Sequence, residues 1–256
     1  MLLVCDIGNS KIKSGFSDDE NISSIKIFED TDSLIKFVTG KKITSAAVSS
    51  VVPLKLKSFI KEFYTRFDFN PTVIDKRSKF NLKIEYKTPG TLGIDRICSA
   101  EGALYLYNLN NIYNKNTYII SIDFGTATTI NIVRYNKVFT GGLILPGINM
   151  MFKSLKDETA QLPVVKSSEY KSMIGDTTKS SIASGVINAT VGAINRAIEH
   201  LKQKNNKAAV EIYITGGNAK YILPYLEYEY VFEKGLVLYG IRSVYKNVLK
   251  NKWFLF

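Results

Sequence analysis

Residues 122–129 read "IDFGTATT", directly after an apolar run, "TYIIS" (117–121), with the composition of a buried strand. Such a strand end, with one carboxylate, one glycine and three threonines, presents donors and a charge where the chain turns. The N-terminus repeats the device: "MLLVCDIGNSKIKSGF" carries an apolar strand into Asp6, Gly8, Asn9 and Ser10. Working outward from the first turn, short strands at 2–5, 12–16 and 25–28 precede a helix in "DTDSLIKFVTG", with Asp30 or Thr31 as N-cap and Gly40 past its end. The strand "ITSAAVS", the helix "PLKLKSFIKEFYTRF" opened by Pro53 and the strand "PTVID" follow.

A helix containing "DRICSAEGALYLYN" separates this set from a second one. Strands at 117–123, 128–134 and 137–145 lead through Pro146 and Gly147 into helical "NMMFKSLKDE", and a long helical pattern covers 179–202. The strand "VEIYIT", a short helix after Gly217, the strand "YEYVF" and the closing helix "LVLYGIRSVYKNVL" complete it. The duplicated order predicts an α/β fold of two domains, 1–114 and 115–256, with the boundary in "NNIYNKN" and no linker-type composition to mark it.

Composition narrows the function classes. A chain of 256 residues with 45% hydrophobic and 22% charged residues can bury a sizeable core. Asp6 interrupts the opening apolar run and no stretch reaches the length of a membrane span, so no secretion signal or membrane partner is expected and a cytoplasmic location is. Two cysteines, Cys5 and Cys98, lack the spacing of a disulfide framework or a zinc site. The sole histidine, His200, lies in the polar segment "EHLKQKNNK" and reads as a surface residue. The net charge of +11 is mostly dispersed lysine without a basic block or a nucleic-acid motif, so nucleic acid is not an expected partner.

The chemistry of the repeated turn follows from its residue types. A carboxylate at the end of a buried strand can hold a hydrated cation, while Gly8 and Gly125 let phosphate oxygens reach the backbone. Asn9, Ser10, Thr126 and Thr128 add donors. Two such turns across an interdomain cleft would grip a polyphosphate bridged by magnesium, an ATP site without a P-loop.

The motifs "DIGNS", "DFGTA" and "ITGGNA" resemble the two phosphate motifs and the adenosine motif of the actin, sugar-kinase and Hsp70-like ATPase superfamily. Within it, "TPGTLGIDR" (88–96), "GGLILPG" (141–147) and "IGDTTKSSIASG" (174–185) are similar to type III pantothenate kinase. Ser10 stands where that family usually has threonine and keeps the hydroxyl. The resemblance implies two ribonuclease H-like domains in an actin-like ATPase arrangement, and transfer of a phosphoryl group from ATP to the primary hydroxyl of pantothenate, the first step towards coenzyme A. It implies magnesium at Asp6, and a monovalent cation, potassium or ammonium, at Asp123. ATP is implied at Asp6, Ile7, Gly8, Asn9, Ser10, Lys11, Ile12, Lys13, Thr126, Gly216 and Gly217, and a homodimer with the pocket close to its interface.

On the pantothenate side the resemblance implies Asp95 as the base that orients the acceptor hydroxyl, with Tyr86, Gly93, Ile94, Arg96 and Thr178 around the substrate. The residues suit these tasks. Asp95 begins a helix, whose N-terminus favours negative charge, and a weak base suffices because the hydroxyl proton leaves late in a loose transition state. The planar fork of Arg96 fits a carboxylate or a developing phosphate charge. Each has a plainer alternative: an N-cap paired with Arg96 for Asp95, an interface ion pair for Arg96, a strand aromatic for Tyr86, a helix cap for Thr178, and a simple strand-to-helix turn for Gly216 and Gly217. "GGLILPGINMMF", with Met150 and Met151, reads as core or as subunit interface, and the resemblance favours interface.

Overall fold

The structure is a computed structural model that describes residues 1–18, 20–109, 116–134 and 136–253. It divides into two compact units, one comprising Met1–Tyr113, Asn136–Gly141 and Lys234–Phe256, the other Asn114–Tyr135 and Gly142–Glu233. The expected boundary between 114 and 115 lies outside the described residues. The closing helix, expected with the second half of the chain, belongs to the first unit.

In the first unit, β1 (Leu2–Ile7), β2 (Ile12–Ser17), β3 (Ile22–Phe28), β4 (Ser45–Ser50) and β5 (Thr72–Val73) form a sheet in the order β3-β2-β1-β4-β5. β1 runs antiparallel to β2 and parallel to β4. Helices α1 (Thr31–Val38) and α2 (Pro53–Phe67) supply Leu34, Val38, Phe59 and Phe63 to a core with Leu3, Cys5, Ile7 and Ile12. Burying each of the two phenylalanines contributes roughly 2–3 kcal/mol. Asp30 caps α1, accepting from the Ser33 amide at 2.8 Å, and Gly40 follows the helix with φ +81°.

Two helices of this unit cross backbone to backbone. In α3 (Ile94–Leu109) and α6 (Leu236–Trp253), a Cβ on Gly102 would strike the Leu236 carbonyl and one on Gly240 the Cys98 carbonyl. That crossing explains why the closing helix joins the first unit: α3, which carries Asp95, needs a glycine-faced partner. A short strand absent from the sequence reading, β6 (Lys83–Ile84), pairs with Val138 and Phe139.

The second unit repeats the arrangement. β7 (Thr117–Phe124), β8 (Ala127–Arg134), β9 (Val138–Pro146, whose residues up to Gly141 belong to the first unit), β10 (Ala209–Thr215) and β11 (Val231–Phe232) follow the order β11-β10-β7-β8-β9. β7 is antiparallel to β8 and parallel to β10. Helices α4 (Ile148–Asp157) and α5 (Thr178–Lys204) close a core of Ile122, Phe124, Ile148, Phe152, Ile187, Ile198 and Ile214. Each first strand is thus the point where a sheet changes from antiparallel to parallel pairing, the place where α/β sheets present ligand sites. Among the described residues no helix is long and apolar enough to cross a membrane.

Candidate active site

Asp6 and Asp123 hold equivalent positions, each the penultimate residue of a strand paired antiparallel on one side and parallel on the other. Asp6 lies opposite Lys13 and Ser49 in the neighbouring strands, and the Ser49 hydroxyl donates to its Oδ1 at 3.1 Å. This buried serine fixes one oxygen and leaves the carboxylate a defined orientation. The turn closes with the Gly8 amide donating to the Lys11 carbonyl at 3.0 Å, while Asn9, Ser10 and Lys11 are exposed. Lys11 pairs with Glu29. Ile7 and Ile12 are fully buried in the core, so only their backbone is available to a ligand.

Asp95 is the second residue of α3, in its first turn and not at its cap position, and is half-buried. Gly93 leaves room for this orientation of the carboxylate, since a Cβ there would collide with Asp95 Oδ1 and turn it away. Three residues further along α3 from Asp95 is the buried Cys98 thiol. Burial first, and then the nearby charges of Asp6, Glu101 and Asp95, push that thiol well above its ordinary pKa, and Ser49 lies against it. Two of the three predicted acidic site residues, Asp6 and Asp95, are therefore close enough to one buried thiol in the first unit for it to feel both charges. Ile94 is buried and borders a cavity of about 290 Å³ with Ser50, Val73, Ile74 and Asp75.

Arg96 is buried, its guanidinium carbon 5.8 Å from the centre of the Phe139 ring. Tyr86 lies just past β6 and meets Phe139 edge-on at 6.1 Å, with its ring 3.6 Å from where a Gly141 Cβ would stand. Tyr86 and Arg96 thus share one aromatic, Phe139, which the sequence reading did not single out.

In the second unit, Asp123 faces Thr129 and Thr215 across its strands. The Gly125 amide donates to Ala127 O at 3.1 Å, and the Gly147 amide to Thr126 O at 3.1 Å. Asn218 donates from its backbone to Phe124 O and from its side chain to Gly125 O, each at 3.1 Å. Gly216, at φ +102°, approaches the Phe124 backbone so closely that a Cβ would lie 2.5 Å from it, whereas Gly217 is open. That leaves bare backbone beside a carboxylate and the exposed Thr126. Thr177, not Thr178, caps α5, in a capping box with Ser180. Thr178 is exposed and borders a cavity of about 970 Å³ lined by Met151, Leu155, Ile182 and Val186.

With this geometry in hand, the family model for type III pantothenate kinase matches residues 2–200. A type III pantothenate kinase from Sulfurihydrogenibium sp. (strain YO3AOP1) is 33% identical over 255 residues, covering 94% of this chain and 98% of that protein. The chain belongs to this family. Its activity is that of the family: ATP-dependent phosphorylation of pantothenate. Two solved structures are alike in fold. A Campylobacter jejuni protein named as a Baf family transcriptional activator superposes with a TM-score of 0.62 at 21% identity, covering 97% of this chain and 99% of that one. A ROK hexokinase from Thermus thermophilus superposes with a TM-score of 0.50 at 11% identity, covering 96% and 99%. The fold is that of the actin-like kinases.

The sequence reading missed Ser49, Phe139, the contact of Gly147 with Thr126 and the role of Asn218. Ser49 and Asp6 become neighbours only through the parallel register of β1 and β4, which no local pattern encodes. Gly147 had a signal in its Pro-Gly pair, which was read as a simple entry to a helix.

Proposed function

We propose that Asp95 receives the pantothenate hydroxyl and holds it for attack on the γ-phosphoryl of ATP, and that Asp6 carries the magnesium that accompanies the nucleotide. The observation that carries this reading is a chain of neighbours, Asp6 held by Ser49, Ser49 against Cys98, and Cys98 one helical turn along α3 from Asp95, which joins the cation-holding carboxylate to the hydroxyl-orienting one. Magnesium suits Asp6, since that ion keeps water and phosphate oxygens and needs only one or two carboxylates. When bound it offsets charge on the transferring phosphoryl group.

Asp95 needs little basicity, because its proton transfer is late; its task is orientation. Arg96, beside the Phe139 ring, attracts the substrate's carboxylate, and Tyr86 and Ile94 shield the substrate from water. Thr126 and the bare backbone of Gly216 and Gly217 receive ATP, and Asp123 holds potassium or ammonium. Exposed Ile144 and Met150, together with the apolar cavity beside Thr178, support a homodimer. Light scattering should then give twice 28.7 kDa, and a monomer at working concentration would remove that part of the reading. ADP release that requires pantothenate, magnesium and Asp95 tests the whole.

A further inference from the structure

Glu101 is a charged residue at the centre of the first unit that the reaction does not use. It is 1% exposed, and among the described residues amides and a hydroxyl donate to its carboxylate. Its Oε2 accepts from the backbone amides of Asn81 at 3.1 Å and Leu82 at 3.2 Å, and its Oε1 from the Ser243 hydroxyl at 2.9 Å and from the Asn81 side chain. Burial pushes its carboxyl up in pKa, so a charge here costs stability relative to an apolar side chain. What it supplies is directed: a carboxylate only accepts, and every group turned towards it donates.

The segment it grips leads straight to the substrate side. After Asn81 and Leu82, the strand Lys83–Ile84 pairs with Val138 and Phe139, and the Glu85 amide donates to Phe139 O at 3.0 Å. Tyr86 then packs on Phe139, the ring that also carries Arg96. Glu101 and Arg96 stand on the same helix as Asp95. From these contacts we infer that Glu101 is a positioning residue for pantothenate: it ties the segment that delivers Tyr86 to the helix that delivers Asp95 and Arg96, and so sets the width of the substrate pocket. This rests on the reading of Tyr86, Asp95 and Arg96 as pantothenate residues.

The test is steady-state kinetics on Glu101→Gln, Asn81→Ala and Ser243→Ala, with thermal melting of each. Glutamine keeps the shape but turns an amide donor on donors. Asn81 is exposed, so its truncation leaves a folded protein that decides the matter even where Glu101→Gln does not fold. The KM for pantothenate should rise about tenfold in Glu101→Gln and severalfold in Asn81→Ala, with the KM for ATP changed less than about twofold. Ser243→Ala removes one donor to Glu101 and the acceptor of the Asn81 side chain at 3.0 Å but leaves both backbone amides on Glu101 Oε2, so it should lower the melting temperature and raise the KM for pantothenate less than Asn81→Ala does. An unchanged pantothenate KM in Asn81→Ala, a parallel rise of both KM values, or the same rise in Ser243→Ala would each overturn the inference. Failure of the unmodified protein to phosphorylate pantothenate would instead overturn the reading it rests on.

Discussion

The two carboxylate turns match in strand position and differ in what holds them. The first spans the four residues between the paired Ile7 and Ile12 and shapes itself, through the Gly8 amide and Lys11 carbonyl, with Lys55 Nζ donating to Asn9 O at 2.7 Å from outside. The second spans the three residues between Phe124 and Thr128 and is clamped by backbone from Gly147 and from residues 216–218. An open turn with exposed donors suits a ligand that arrives with its own hydrated cation. A clamped turn suits a fixed ion site, where the oxygen positions must be set before the ion binds.

The comparison is broken most severely by removing the carboxylates. Asp6→Ala should lower kcat by about a thousandfold and abolish the response to magnesium, on the scale of losing one transition-state charge partner. Asp123→Ala should keep the magnesium response and lose its preference for potassium or ammonium over sodium at equal ionic strength. Magnesium and potassium titrations that respond alike in the two variants would mean the turns are not specialised.

Glycine substitutions sharpen the contrast at smaller scale. Gly216→Ala puts a Cβ into the Phe124 backbone at positive φ and should cost about 3 kcal/mol or more in thermal unfolding. Gly8→Ala meets only the Lys11 carbonyl at 3.1 Å and should cost less than about 1 kcal/mol while raising the KM for ATP. Equal losses of stability would show that the first turn is clamped as well.

The smallest effect concerns the support beneath the first unit. Burial raises the folded pKa of Glu101 above its ordinary 4.5, so the folded chain holds that proton longer than the unfolded chain. The stability this contributes is full below about pH 4.5 and is lost as pH rises through the folded value. Melting temperatures of the unmodified protein should therefore fall relative to those of Glu101→Gln as pH rises from about 4 to 8, and a constant difference would contradict the assignment.

Much of this was legible in the sequence because it is written locally. Apolar runs and their polar ends marked the strands; Asp30, Pro53 and Gly40 marked the helix ends as found. Asp6 and Asp123 stood out as carboxylates at the ends of apolar strands, and Asp95 through the resemblance carried by "TPGTLGIDR". What was hidden depends on register and on crossings. Thr178 reads as well as Thr177 for a cap, and only backbone geometry chooses. β6 is too short to show a period, and the return of α6 to the first unit depends on Gly102 meeting α6 over 130 residues away in sequence. Nothing local in the sequence marks Glu101 as buried, because its donors come from Asn81, Leu82 and Ser243.

The central claim, that a carboxylate at the start of α3 orients the hydroxyl of pantothenate, is met most directly by coupled ADP release from the unmodified protein and from Asp95→Asn, each with and without pantothenate. The account predicts release that depends on pantothenate in the unmodified protein, a loss of about a thousandfold or more in Asp95→Asn, and matching melting curves for the two. Near-normal turnover in a folded Asp95→Asn protein would contradict it.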